Sequence, residues 1–169
     1  MSGRGVGATG EEGDERQTHA VPTPSRVIRT LHTGFTVADV RATARFFRDC
    51  LGFTTTEPRG RPGAMLSRIV GIPGCEAEIA YVSAPGHTIE LLQYTSPPSA
   101  VTSASRPCDV GPSHVAFLVE DVEAVAHAAR DFGFVVLTDI PRIDTGQSAG
   151  RRATYLRDAY GFTVELMGQ

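Results

Sequence analysis

The sequence has few cysteines, no long apolar run and no strong excess of charge. Its three cysteines, Cys50, Cys75 and Cys108, form no Cys-x-x-Cys pair, which argues against a disulfide framework and against a structural zinc site built on sulfur. No apolar run approaches the roughly 18 residues of a membrane-spanning helix, and the N-terminus lacks the basic and apolar regions of a signal peptide. We therefore expect a reduced, cytoplasmic protein that does not enter a membrane.

The charge balance points to a small-molecule partner. The formal net charge of the 169 residues is -3, so the sequence has no electrostatic footprint for nucleic acid. An apolar share of 41% is typical of a globular chain. The length suits one ordinary domain or two small modules that share a core, so any duplication must be internal to one compact unit.

What the sequence does contain is an internal repeat. Residues 31–40 and 113–122 both contain His-x-x-Phe-x-Val-x-Asp-Val, and residues 86–91 and 161–166 both read Gly-x-Thr-(Ile/Val)-Glu-Leu. The two histidines are 82 positions apart, and so are the two aspartates that follow them. Because the strand and the helix start keep their spacing while residues are lost in loops, the repeat indicates a structural duplication.

Each half is predicted to contain a strand, a helix and about three further strands. Residues 26–37 predict the first strand, Asp39 is a good helix N-cap, and Gly52 is a natural helix end. Residues 57–75 are predicted to form a long loop because glycine and proline recur in them. We expect an α+β fold of paired βαβββ modules that form a curved mixed sheet around a metal-binding cleft, with the helices on the outside.

The composition also predicts the boundaries of these modules. Residues 1–25 are rich in glycine, glutamate, threonine and proline and are predicted to be a flexible tail. Module one is predicted to span 26–96 and module two 111–168. A linker rich in proline and serine, 97–110, is expected between them.

The repeated phrases place a histidine and a glutamate in each half: His32 with Glu90, and His114 with Glu165. A carboxylate on a central strand is costly unless it is paired or bound to a cation. A single histidine on a strand is more often a core residue than a ligand, but repetition at equivalent places favours ligation. Two imidazoles and two carboxylates suit a divalent ion such as Ni, Co, Zn, Fe or Mn. We predict that these four residues are the ligands of one metal ion.

Three further residues are weaker candidates for substrate binding. Arg151 and Arg152 follow a glycine in a loop and could clamp a carboxylate or phosphate, although surface arginines are more often solvated. Tyr94 shares a strand face with Glu90.

These phrases resemble the vicinal oxygen chelate superfamily, which includes glyoxalase I, methylmalonyl-CoA epimerase, extradiol dioxygenases, fosfomycin resistance proteins and bleomycin-binding proteins. The resemblance covers about residues 27–168. It is closest in ligand pattern to bacterial glyoxalase I and the epimerase, which use all four positions. Extradiol dioxygenases and fosfomycin enzymes use two histidines and one carboxylate, and bleomycin-type binders lack the set. The residues that carry the resemblance lie at 31–39, 46–53, 89–94, 111–117 and 155–166.

The resemblance implies a metal-dependent lyase or isomerase that stabilises an enolate or enediolate while a proton moves on a small metabolite. Glu165 or Glu90 is the expected base, and Glu78 is a less favoured alternative. Two other functions stay open: an Fe(II)-dependent, extradiol-type dioxygenase, and a metal-free resistance protein that binds an antibiotic or metabolite. A homodimer is expected. In the superfamily that the sequence resembles, the cleft forms either within one chain or across a dimer, so the sequence leaves this choice open.

Overall fold

The computed structural model describes residues 27–98, 106–111 and 113–169. The tail predicted at 1–25 and part of the linker predicted at 97–110 lie outside the described residues. The chain divides into two units between Thr30 and Leu31, and in the first unit the description covers only an exposed segment, 27–30, without helix or strand. Within the described ranges, no helix is long and apolar enough to cross a bilayer.

The first half of the larger unit is a five-stranded sheet with a helix packed on it. Its elements are β1 (Thr33–Thr36), α1 (Val40–Arg45) with a π-helical turn (Phe46–Cys50), β2 (Thr54–Thr55), β3 (Arg59–Arg61), α2 (Gly63–Val70), β4 (Glu76–Ala84) and β5 (His87–Ser96). The strand order is β1-β5-β4-β2, and β3 also pairs with β4. The β1–β5 pair is parallel and the other pairs are antiparallel.

The second half repeats this plan in a four-stranded sheet. Its elements are β6 (His114–Val119), α3 (Val122–Ala129) with a 3-10 turn (Arg130–Phe132), β7 (Val135–Val136), β8 (Ala153–Arg157) and β9 (Thr163–Gly168). The strand order is β6-β9-β8-β7, and β6 runs parallel to β9 as β1 does to β5. The equivalent pairing confirms the duplication that the repeated phrases predict.

Both repeated aspartates begin their helices as the sequence predicts. The Asp39 carboxylate accepts a hydrogen bond from the Ala42 backbone N–H at 2.8 Å, and Asp121 accepts one from Ala124 at 2.9 Å. These bonds satisfy N–H groups that have no partner within the helix.

One apolar core joins the two halves. Buried residues from the inner faces of both sheets and from both helices form a single cluster. Phe46 stacks on Phe134 with a centroid separation of 4.0 Å, and Phe35 meets Phe162 edge to face at 5.3 Å. Because the inner faces share this core, the opposite faces of the two sheets point away from each other.

The α+β class and the mixed, unclosed sheets are confirmed, and two details differ from expectation. The strands form two separate sheets instead of one curved sheet, because the apolar inner faces pack together through the helices. The first strand spans Thr33–Thr36 of the predicted 26–37, the residues that pair in register with 89–92 of β5.

The predicted loop at 57–75 contains both a short strand, β3, and the helix α2. Leu66 of α2 is buried with Ala77 and Ile79 of β4, and Gly71 ends the helix with φ 73°. Burial of this side chain gives the segment a folded structure that its glycine and proline content does not predict. No comparable helix is described in the second half, so α2 is the main difference between the modules.

Candidate metal centre

The outer face of the first sheet carries His32 and Glu90. Gly34 of β1 lies beside Glu90 of β5 in the parallel register, and the alternation of side chains places His32 on this same face. Nε2 of His32 and Oε2 of Glu90 are 3.3 Å apart, and their side chains are 35% and 16% exposed. The predicted pairing of a histidine with a glutamate on one face is thus formed in the first half.

A tyrosine completes this cluster. Tyr81 of β4 lies directly opposite Glu90, and its hydroxyl donates a hydrogen bond to Oε1 of Glu90 at 2.6 Å. Its ring also meets the His32 ring edge to face at 5.9 Å. The hydrogen bond to Glu90, burial and the carboxylate charge together raise the pKa of Tyr81, against an opposite effect of Arg61 on β3.

The outer face of the second sheet repeats the arrangement. Nε2 of His114 and Oε2 of Glu165 are 3.2 Å apart, with side chains 44% and 20% exposed. Tyr155 lies directly opposite Glu165 on β8, and its ring lies 5.0 Å from the His114 ring. Burial, and then the charge of Glu165, raise the pKa of Tyr155.

The donor atoms of each pair fit one metal ion. Nitrogen and oxygen donors that bind the same ion at about 2.0–2.2 Å lie about 3 Å apart, close to both observed separations. Gly34 leaves space in front of the first pair, because a Cβ added there would lie 3.7 Å from Oε2 of Glu90 and 3.6 Å from Leu92. His32 with Glu90, and His114 with Glu165, could therefore each supply half of a four-ligand site.

One chain does not bring the four predicted ligands together. Across the described parts of the chain, no group of three or more histidine, cysteine, aspartate or glutamate side chains is placed to hold a metal ion. The shared core explains this separation, since it directs the two His–Glu pairs to opposite sides of the unit.

A cavity of about 390 Å³ opens beside the second pair. Glu165 and Tyr155 form part of its wall, together with residues 137–139, Pro141 and Pro107. Its volume falls within the range of small-molecule sites, which is about 300–1,000 Å³. The cavity places a carboxylate at the edge of a space that a metabolite could occupy.

The two predicted arginines lie on opposite faces of the second sheet. Arg151 reaches the sulfur of Met167, which shares the outer face with Glu165. Arg152 forms an ion pair with Glu123 of α3, on the helix side. Arg151 therefore lies on the face where it could bind a substrate, and Arg152 does not.

The other two candidates lie on the first sheet. Tyr94 lies on the same sheet face as Glu90. Its side chain packs against the small apolar cluster around Leu66, so it contributes to the packing of that face. Glu78 lies on the helix side, because it alternates with Tyr81, and it is paired with Arg41. Its position separates it from the outer face where a base would work.

Tyr81 and Tyr155 were not predicted as site residues. The signal was present in both halves. In each, the tyrosine lies before the hairpin turn and the glutamate lies after it, at nearly the same distance from the turn. Pairing across a hairpin then requires the two side chains to be neighbours on one face. Arg61 was missed because its strand, β3, was predicted as loop.

A family sequence model matches most of the chain. The sequence model of the glyoxalase/bleomycin resistance protein/dioxygenase superfamily matches residues 29–166. The chain belongs to this superfamily. The resemblance found in the repeated phrases is thereby confirmed, and the superfamily contains proteins with different activities, as its own description states. Comparison with curated proteins gives no match.

Solved structures of the superfamily have the same fold. A glyoxalase family protein from Bacillus cereus is 22% identical, with a TM-score of 0.72 over 88% of this chain and 98% of its own. A glyoxylase/bleomycin resistance protein/dioxygenase domain from Frankia is 17% identical, with a TM-score of 0.58 over 85% and 93%. A fosfomycin resistance protein from Listeria monocytogenes is 15% identical, with a TM-score of 0.53 over 85% and 95%. At these identities the likeness supports the fold and no particular reaction.

Proposed function

We propose that the protein is a divalent-metal-dependent enzyme of the glyoxalase or epimerase type that moves a proton on a small oxygenated metabolite. The observation that carries the proposal is the pair of equivalent His–Glu clusters, with donor atoms 3.3 Å apart in one half and 3.2 Å in the other. Imidazole and carboxylate donors suit Ni, Co, Zn, Fe or Mn. All four ligand positions are occupied by competent residues, as in the lyase and isomerase branch of the family that the sequence resembles.

The complete site is proposed to form between two copies of the chain. In one chain the His–Glu clusters point away from each other because the inner faces share a core. A homodimer in which the first sheet of one copy faces the second sheet of its partner would join His32 and Glu90 to the partner's own second pair. A twofold axis would then generate two identical sites, each with two histidines and two glutamates.

The side chains at this site would have three roles: metal binding, proton transfer and substrate binding. His32, Glu90, His114 and Glu165 would hold the divalent ion, which would act as a Lewis acid on a substrate oxygen that gains negative charge. Glu165 or Glu90 accepts the proton when the substrate C–H bond breaks, and the bond electrons move toward the substrate oxygen. The carboxylic acid then returns the proton to carbon. Arg151, on the same face as Glu165, would bind an anionic group of the substrate.

Metal analysis of the purified protein tests the proposal directly. The wild-type dimer is expected to bind Co(II) or Ni(II), and both His32→Ala and His114→Ala are expected to lose most of that metal. His87→Ala is the control, because His87 begins β5 three residues before Glu90 and so lies on the opposite strand face. Full metal occupancy in both site variants would contradict the four-ligand centre.

A mixed dimer tests whether the site is shared between chains. If each site takes one face from each copy, a dimer of one His32→Ala chain and one His114→Ala chain has one intact site and one site with both defects. Two different affinity tags allow this species to be purified. It is expected to hold about half of the wild-type metal per dimer, whereas sites contained within single chains would give none.

The same protein distinguishes the other functions. Oxygen uptake with Fe(II), absent with Co(II) or Ni(II), would indicate a dioxygenase. Tight binding of an antibiotic or metabolite without any metal would indicate a binding protein. Screening small metabolites that carry two adjacent oxygens against the Co(II)-loaded dimer would identify the substrate.

A further inference from the structure

Tyr81 and Tyr155 occupy equivalent places in the two halves but use their hydroxyls differently. Each tyrosine lies opposite the glutamate of its own half in an antiparallel strand pair. The Tyr81 hydroxyl donates to Oε1 of Glu90 at 2.6 Å. Among the contacts of the described residues, Tyr155 makes no hydrogen bond to Glu165, and its ring lies against His114. The duplicated site is therefore asymmetric at the carboxylates.

The Glu90 carboxylate is therefore restrained more than the Glu165 carboxylate. Glu90 is held at both oxygens, by Tyr81 at Oε1 and by His32 at 3.3 Å from Oε2. Among the hydrogen bonds and ion pairs of the described residues, Glu165 has only its contact to His114, and it borders the cavity of about 390 Å³. A hydrogen bond from a hydroxyl to a carboxylate is short and charge-assisted, so it fixes the rotamer of Glu90. Glu165 has both the freedom and the space to turn.

We infer that Tyr81 is a positioning residue that fixes the Glu90 carboxylate in the orientation of a metal ligand, a restraint that Tyr155 does not give to Glu165. The inference rests on the proposed function, since it assigns roles within that metal site. Tyr81 acts on Glu90 and does not touch the substrate. Hydrogen bonds of this kind to a ligand commonly change metal affinity by about 10–100-fold.

Two phenylalanine variants form a matched pair for the test. Tyr81→Phe and Tyr155→Phe each remove one hydroxyl and keep the ring, so packing against the neighbouring histidine is retained. Co(II) is titrated into the full-length protein and followed by its visible absorption, which reports both the affinity and the ligand field. Tyr81→Phe is expected to lower the Co(II) affinity about 10–100-fold and to change the spectrum. Tyr155→Phe is expected to keep the wild-type affinity for Co(II).

The two glutamates provide a second, independent comparison. Glu90→Gln is expected to weaken Co(II) binding more than Glu165→Gln, because only Glu90 is held in place as a ligand. This comparison decides the inference even if Tyr81→Phe fails to fold, which circular dichroism would reveal. Equal Co(II) affinities for the two tyrosine variants, or equal losses in the two glutamate variants, would overturn the inference and leave the metal site intact. A wild-type protein that binds no Co(II) would overturn the proposed function as well.

Discussion

The Phe46 ring stacks on the Phe134 ring, with 4.0 Å between centroids and 23° between planes. Phe46 begins the π-helical turn that follows α1 in the first half, and Phe134 follows the helical segment of the second. Both rings are almost fully buried. The two halves are thus joined by direct packing of aromatic rings in a common core, and their stability should be shared.

Removing this contact should destabilise the whole unit. Phe46→Ala deletes a fully buried ring and is expected to lower the free energy of unfolding by about 3–5 kcal/mol. Urea denaturation followed by circular dichroism measures the change. Val135→Ala is the control, because Val135 is 59% exposed and its truncation should cost less than about 0.5 kcal/mol. Loss of only half of the signal in a separate early transition would show that the halves unfold independently.

The helix caps should contribute equal and independent amounts of stability. Asp39→Ala and Asp121→Ala each remove a side-chain acceptor for a backbone N–H at the start of a helix. Each substitution is expected to lower the free energy of unfolding by about 1 kcal/mol. The double variant should lose the sum of the two within about 0.5 kcal/mol, because the caps share no partner. A much larger loss at one cap would indicate a role beyond helix initiation.

Gly34 should matter for metal binding and not for folding. Gly34→Val places a branched side chain in front of Oε2 of Glu90, where the added Cβ alone lies 3.7 Å away. Valine favours strands, so the thermal midpoint should not fall, while Co(II) affinity measured by titration should drop. Gly60→Val is the matched control, since Gly60 is also in a strand and a Cβ there meets nothing within 4 Å. Equal Co(II) affinity in both variants would argue that Gly34 leaves no space that the metal uses.

The three free thiols should react with iodoacetamide at different rates. Cys108 is exposed, Cys50 is partly buried and Cys75 is buried. Burial, and then the negative charge of Asp131, raise the pKa of Cys50, so its thiolate should form only at more alkaline pH than that of an ordinary cysteine. Mass spectrometry of the native protein near pH 8 should find Cys108 labelled first. The labelling rate of Cys50 should rise later as pH increases, and equal rates for Cys50 and Cys108 would contradict this order.

The repeated phrases were sufficient to predict what each half does by itself. The helix caps and the facing His–Glu pair both follow from contacts within one module. Strand alternation is local, so it places His32 and Glu90 on one face without knowledge of the other half. Tyr81 is predictable in the same way, because it lies opposite Glu90 across the β4–β5 hairpin.

The arrangement of the two halves could not be predicted in this way. An internal repeat shows that two modules are alike. It does not show which face of each sheet packs against the other module. Here the aromatic side chains around Phe46 and Phe134 bury the inner faces together, and the His–Glu pairs end on opposite sides. The helix α2 was missed for a related reason, because the burial of Leu66 against β4 is a tertiary contact that glycine and proline content does not reveal.

The shared core also bears on how such a protein could have arisen. An ancestor with a single module would have carried the same apolar inner face with no second sheet to cover it. That face would have driven self-association. Two separate modules would have paired only at concentrations near the dissociation constant of their dimer. Fusion of two copies makes the same encounter intramolecular and independent of dilution. Such a fusion would leave the outer faces of the two sheets able to differ, and in this chain one half holds its glutamate with a tyrosine hydroxyl while the other does not.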